Sequence, residues 1–194
     1  MRALLALALT LVSTAAFAHA GHAGTSGFLL GVEHPIGGLD HVLAIIAVGV
    51  FAYVLGGRAL FLVPLSFVAM MVVGFLLGAG SVDLPLVELG IALSSIVIGA
   101  AAALGRPMHV AGAMALVGAF AVFHGHAHGA AMPADASGLQ YALGFVATTA
   151  FLHAAGAAAA TGVASLAGKY GRPVAQVAGS LFALGGLGVL AGWL

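Results

Sequence analysis

Charge is what this chain has least of: five basic and five acidic side chains are spread over 194 residues. A soluble domain keeps about a quarter of its residues charged to cover its surface. A chain that is 5% charged and 63% hydrophobic, with a mean hydropathy of +1.22, is therefore a membrane protein. There is no basic run to attract nucleic acid and no polybasic stretch to hold anionic lipid heads. Cysteine is absent, which excludes disulfides, thiolate metal sites and thiol catalysis and leaves imidazole and carboxylate as the strong ligands. A phosphate-binding loop is missing too, because Gly168-Lys169 is followed by Tyr170 rather than Ser or Thr. Against this background nine histidines are an excess.

Residues 1–18 have the form of a secretory signal: Arg2 is the positive segment, Ala3 to Val12 the apolar core, and Ala16-Phe17-Ala18 an A-x-A cleavage site. The core is shorter than the ~20 residues of a span. The mature chain is then expected to begin at His19 with a short extracytoplasmic, histidine-containing leader, residues 19–33, ahead of a transmembrane domain at 34–194.

Six apolar stretches of spanning length follow: Pro35 to Leu55, Ala59 to Leu77, Leu86 to Leu104, Pro107 to Phe123 or a little beyond, Leu139 to Ala160, and Pro173 to Trp193. Lipid offers backbone groups no partner, so each stretch is expected to be a helix and the fold an all-α integral membrane bundle of six helices. With His19 outside, the basic residues Arg58, Arg106, Lys169 and Arg172 all fall on cytoplasmic connections, as the positive-inside rule predicts. Glu33, Asp83 and Asp135 fall on the opposite side, with Glu88 near the outer end of the third span. This places the protein in a bacterial inner membrane with both mature termini outside the cytoplasm. Gly74-x-x-x-Gly78 is a small-xxx-small pair that suits close helix packing. Gly-Arg-Pro recurs at 105–107 and 171–173, each time opening a span from the cytoplasmic side with an anchoring cation and a first-turn proline.

The polar residues inside these spans are the informative ones, because ionisable groups in hydrocarbon are expensive. Pro35 pushes His34 out of helical geometry, so His34 is expected to cap the first span. Asp40 and His41 then lie about 8 to 9 Å deeper, below the headgroups. His34, Gly37 and His41 fall on one helical face, with Asp40 about 100° around. In Phe123-His124-Gly125-His126-Ala127-His128-Gly129, His124 and His128 share a face at a spacing able to chelate one metal, and His126 points roughly 160° away. His153 lies roughly 21 Å into the fifth span, with Thr149 one turn before it. His109 is near the cytoplasmic end of the fourth.

From outside to inside the expected order is His19 and His22, then His34, His124 and His128, then Asp40 and His41, then His153 and His109, with His126 and Glu88 as weaker candidate ligands. Neutral imidazole with one carboxylate, and no thiolate to trap the ion, suits Ni²⁺ or Co²⁺. Sites that conduct must release as well as bind, and acid, by protonating imidazole, would favour release.

These residues resemble the HupE/UreJ family of membrane proteins, associated with nickel and cobalt uptake for hydrogenase and urease maturation. The resemblance rests on His34-Pro35-x-x-Gly38-x-Asp40-His41 leading to Ala47-Val48-Gly49, on Phe123-His124-Gly125-x-Ala127-His128-Gly129, and on Gly144-Phe145-x-Ala147-Thr148 followed by Leu152-His153-x-x-Gly156. It covers essentially the whole chain. It implies six spans after a cleaved leader, functional roles for His34, Asp40 and His41 and then His124, His128 and His153, and a permease for Ni²⁺ or Co²⁺ that is not an enzyme and has no prosthetic group. Cytoplasmic metallochaperones would then receive the ion. Two other readings stay open: an accessory subunit that binds and delivers metal without conducting it, and a membrane metalloenzyme built on His124-x-x-x-His128. The latter fits less well, since its donors would spread over nearly the whole bilayer depth.

Overall fold

The computed structural model describes residues 27–134 and 136–194, so the expected signal peptide, His19, His22 and Asp135 lie outside the described residues. Every regular element among the described residues is a helix. In chain order these are α1 (Gly27–Glu33), a 3-10 turn (His34–Ile36), α2 (Leu39–Leu55), α3 (Ala59–Ala79), α4 (Val87–Leu104), α5 (Val110–Ala130), α6 (Gly138–Ala167), a second 3-10 turn (Gly168–Tyr170) and α7 (Gly171–Leu190). The apolar runs set these lengths, and glycine ends α2, α3, α4 and α6. Gly56 (φ +71°) closes α2 and Gly105 (φ +58°) closes α4, each with its N–H bonded four residues back, in conformations that a side chain would strain.

Two expectations need correction. The first span is not one straight helix from Pro35 to Leu55. Gly37 and Gly38 interrupt it, and the segment Gly27–Ile36 meets Leu39–Leu55 at 81°. His34 is the first residue of the 3-10 turn and Pro35 the second, and the N-cap of α2 is the extended Gly38, so His34 does not cap α2. The other correction concerns length. α6 runs on to Ala167, because Gly156 and Gly162 keep helical geometry among the alanines and only Gly168, at φ +55°, ends the helix.

Among the described residues four helical stretches are long and apolar enough to cross a membrane: Ala59–Ala79, Val87–Leu104, Val110–Ala130 and Gly138–Leu190. The bent pair Gly27–Ile36 with Leu39–Leu55, taken together as one broken span, brings the number to five. The stretch Gly138–Leu190 is a hairpin rather than a rod. Tyr141, near the start of α6, stands beside His34, and Ala164, near its end, touches Gly171. Arg172, at the start of α7, donates to the Val54 carbonyl at the C-terminal end of α2 (3.2 Å), whereas Gly185 further along packs on Leu43 near the start of α2. α7 therefore returns antiparallel to α6.

α2 is the central helix, with nine of its 17 residues buried, and it packs against α4, α6 and α7. α3 pairs closely with α5, α4 with α7, and α1 lies on α6. The outer surface is strongly apolar, with Phe61 74% and Leu166 91% exposed alongside Leu65, Leu76, Phe151 and Leu181. A continuous apolar exterior of this kind is covered by lipid rather than water. This is a multi-pass membrane protein. Its two ends differ in charge: Arg106 and Arg172 border one 290 Å³ cavity with Val54 and Leu55, while Glu33 and Glu88 border another at the far end with His34.

Candidate metal site

Glycine packing aims the α5 histidines. A Cβ on Gly125 or Gly129 would strike the backbone of Met71 or Phe75 on α3, and one on Gly74 or Gly78 would strike the carbonyls of Val122 or His126 on α5. These four glycines let the two helices touch backbone to backbone. His124 and His128 each precede one of the contact glycines. They therefore project about 100° away from the α3 seam, and both are buried, at 1% and 0% exposure.

On α2, Asp40 and His41 fill the first turn, where the free N–H groups favour a carboxylate. Asp40 Oδ1 accepts from the backbone N–H of His41 (2.8 Å) and pairs with its Nδ1 (2.9 Å). Gly38 makes room for this arrangement, since a Cβ there would collide with both side chains. Because the chain bends at Gly37-Gly38, His34 reaches the same region from the side instead of lying one stripe above His41.

Four imidazoles from three elements meet here. Ring centroids are 4.8 Å apart for His34 and His128, 5.1 Å for His128 and His41, and 4.8 Å for His41 and His124. Two imidazoles sharing an ion about 2.1 Å from each nitrogen would place their centroids roughly 5 Å apart. Phe145 stacks on His128 (5.0 Å, 18°), and Tyr141 stands edge-on to His34. Next to His124 lies the buried ring of Phe67 (5.4 Å), which also meets His153 (5.0 Å).

The polar bookkeeping is unusual for an apolar interior. His41 Nε2, His124 Nδ1, both ring nitrogens of His128 and of His153, Tyr141 Oη and Thr149 Oγ1 are buried and have no hydrogen-bond partner among the described residues. Each such group costs about 1–3 kcal/mol when left unsatisfied. Purely structural histidines would be expected to bond across helices, as Thr148 does to the Val32 carbonyl (3.2 Å). A cavity of 680 Å³ bordered by Glu33, His34, Asp40, His41, Glu88 and Tyr141 opens onto the group. Among the described residues no three His, Asp or Glu side chains are grouped closely enough to hold one ion, so the histidines stand as successive pairs.

Other candidates fall elsewhere. His126 Nε2 donates to the Val82 carbonyl in the α3–α4 connection (2.7 Å), and His109 is exposed as the N-cap of α5 at the arginine end. Phe67, Ser94 and Tyr141 belong to the site and escaped the sequence reading. Ser94 Oγ lies 2.8 Å from His124 Nε2. A serine in an apolar span is a faint signal of an interhelical bond, whereas nothing distinguishes Phe67 from its apolar neighbours before α3 and α5 are paired.

Comparison with known proteins identifies the family. The family model described as HupE / UreJ protein matches residues 7–189. Protein HupE of Rhizobium leguminosarum bv. viciae is 44% identical over 188 residues, which is 96% of this chain and 95% of that protein. No solved structure matches. The matched residues take in the bent segment before α2, the paired α5 histidines and His153, and on that coverage the chain belongs to the HupE/UreJ family.

Proposed function

We propose that this protein is a permease that lets a divalent transition-metal ion, Ni²⁺ or Co²⁺, down its gradient across a bacterial inner membrane to supply maturation of a metalloenzyme such as hydrogenase or urease. The observation behind this reading is the set of buried imidazole nitrogens on His41, His124, His128 and His153 that have no partner among the described residues, the first of these side chains lining a cavity with Glu33 and Glu88 at its rim. The carboxylates attract the cation, His34 and His128 receive it, and it passes between His41 and His124. His153, next to Phe67, takes it onward to cytoplasmic metallochaperones. Pairwise donors bind weakly enough to release, which conduction requires and storage does not. Asp40 acts through His41, fixing its ring with Nε2 towards the path. The reading includes cleavage after residue 18 and six crossings, with the α6–α7 hairpin supplying the last two and the arginines facing the cytoplasm. It assigns no catalysis and no resident cofactor.

The test is uptake into proteoliposomes of Ni²⁺, Co²⁺, Zn²⁺ and Fe²⁺ by the wild type and by His153→Asn. Uptake of Ni²⁺ or Co²⁺ by the wild type is expected, with a fall of at least tenfold in His153→Asn while metal binding at the entrance persists. Wild-type vesicles that accumulate none of these ions would sink the permease and leave a binding subunit.

A further inference from the structure

Ser94 sits in the middle of α4, fully buried, on a helix that contributes no histidine to the site. Its Oγ is 2.5 Å from the carbonyl of Ile91, one turn back, and 2.8 Å from His124 Nε2. A carbonyl oxygen can only accept, so the single hydroxyl proton is directed at Ile91. The serine oxygen then has only lone pairs to offer His124, and the hydrogen between them belongs to Nε2. A ligating imidazole is neutral and has one N–H, which leaves Nδ1 of His124 with a bare lone pair. That atom is buried and without a partner among the described residues.

His41 is the complementary case. Its Nδ1 faces the Asp40 carboxylate (2.9 Å), an acceptor, so Nδ1 holds the hydrogen and Nε2 is bare, buried and unpartnered. The two rings are 4.8 Å apart at 83°. We propose that Ser94 is a positioning residue that holds His124 in the Nε2–H tautomer, so that His124 Nδ1 and His41 Nε2, set in opposite tautomers by a serine and a carboxylate, form the two-nitrogen station through which the ion passes. This rests on the permease reading for its consequence, but the tautomer itself can be read without any transport.

Ser95 provides the internal control. It is the same residue type on the same helix, equally buried, but its hydroxyl donates only to the Ala92 carbonyl (3.1 Å) and it faces Gly186 of α7. The full-length protein, labelled with ¹⁵N-histidine and placed in nanodiscs, is examined by two-bond ¹H–¹⁵N correlation, with the His124 signals identified by their loss in His124→Gln. The wild type is expected to show His124 as Nε2–H. Ser94→Ala should mix or invert that tautomer, leave the His153 signals in place and lower initial Ni²⁺ uptake by 10- to 100-fold, the usual cost of losing an outer-shell partner. Ser95→Ala should change neither quantity.

An Nδ1–H tautomer for His124 in the wild type, or an unchanged one in Ser94→Ala, overturns the proposal. So does a changed tautomer with full uptake. If the tautomer responds as stated while wild-type vesicles take up neither Ni²⁺ nor Co²⁺, the serine assignment stands and the permease reading falls.

Discussion

Asp40 shows at the scale of one residue how neighbours in sequence become a working unit. Its carboxylate is adjacent to His41 in the chain, accepts two bonds from that residue and leaves the imidazole with one free nitrogen. Replacing it with asparagine keeps the shape but removes the charge, and the amide can present either an acceptor or a donor to Nδ1. Initial Ni²⁺ uptake by Asp40→Asn should therefore drop by 10- to 100-fold while the protein remains folded and in the membrane. A variant with wild-type uptake would mean that the carboxylate only completes the first helical turn. The Asp40–His41 pair was legible in the sequence because both members are local and a carboxylate in an apolar run is conspicuous. Ser94 was not, because its partner His124 lies 30 positions away and only the pairing of α4 with α5 joins them.

Between residue and fold, the α3–α5 pair shows how an element positions chemistry it does not itself perform. Gly74 and Gly78 on one helix and Gly125 and Gly129 on the other remove every side chain that would hold the backbones apart. The sequence spacing of Gly74 and Gly78 indicated close packing, and that is what the seam shows. What the spacing does not reveal is the partner, nor that the same seam orients His124 and His128. A methyl group at Gly125 would meet the Met71 backbone, and overpacking of this kind costs about 1–3 kcal/mol. Gly125→Ala should accordingly melt at lower temperature in detergent and lose Ni²⁺ uptake as His124 shifts. Gly162→Ala on α6, where nothing lies within 4 Å of the added carbon, should melt no lower than the wild type. Equal melting of the two variants would refute the seam. The bend before α2 was the least legible element. Pro35 suggested a first helical turn, but the two following glycines let the chain turn by 81°, and no local rule sets that angle.

Across the whole molecule, charge asymmetry and chain direction must agree. The hydropathy pattern separated six apolar runs, although α6 and α7 are joined by so tight a 3-10 turn that length and composition alone cannot divide Gly138–Leu190. Contacts do divide it, since α6 runs from the His34 end to the Arg172 end and α7 returns along α2. Lys169 and Arg172 flank that turn, and the orientation proposed above, which follows the positive-inside rule, has it face the cytoplasm. The absence of cysteine makes this directly measurable, because a single introduced thiol is the only one present. Ala134→Cys in the α5–α6 connection, Tyr170→Cys in the turn and Leu194→Cys at the C-terminus are all at exposed positions. In intact spheroplasts an impermeant maleimide should label Ala134→Cys and Leu194→Cys and reach Tyr170→Cys only after lysis. Labelling of Tyr170→Cys from outside would invert the protein. Labelling of Leu194→Cys only after lysis would show that α7 does not return across the bilayer, and the path from the carboxylate rim to the arginine end would then have to be drawn through a different set of helices.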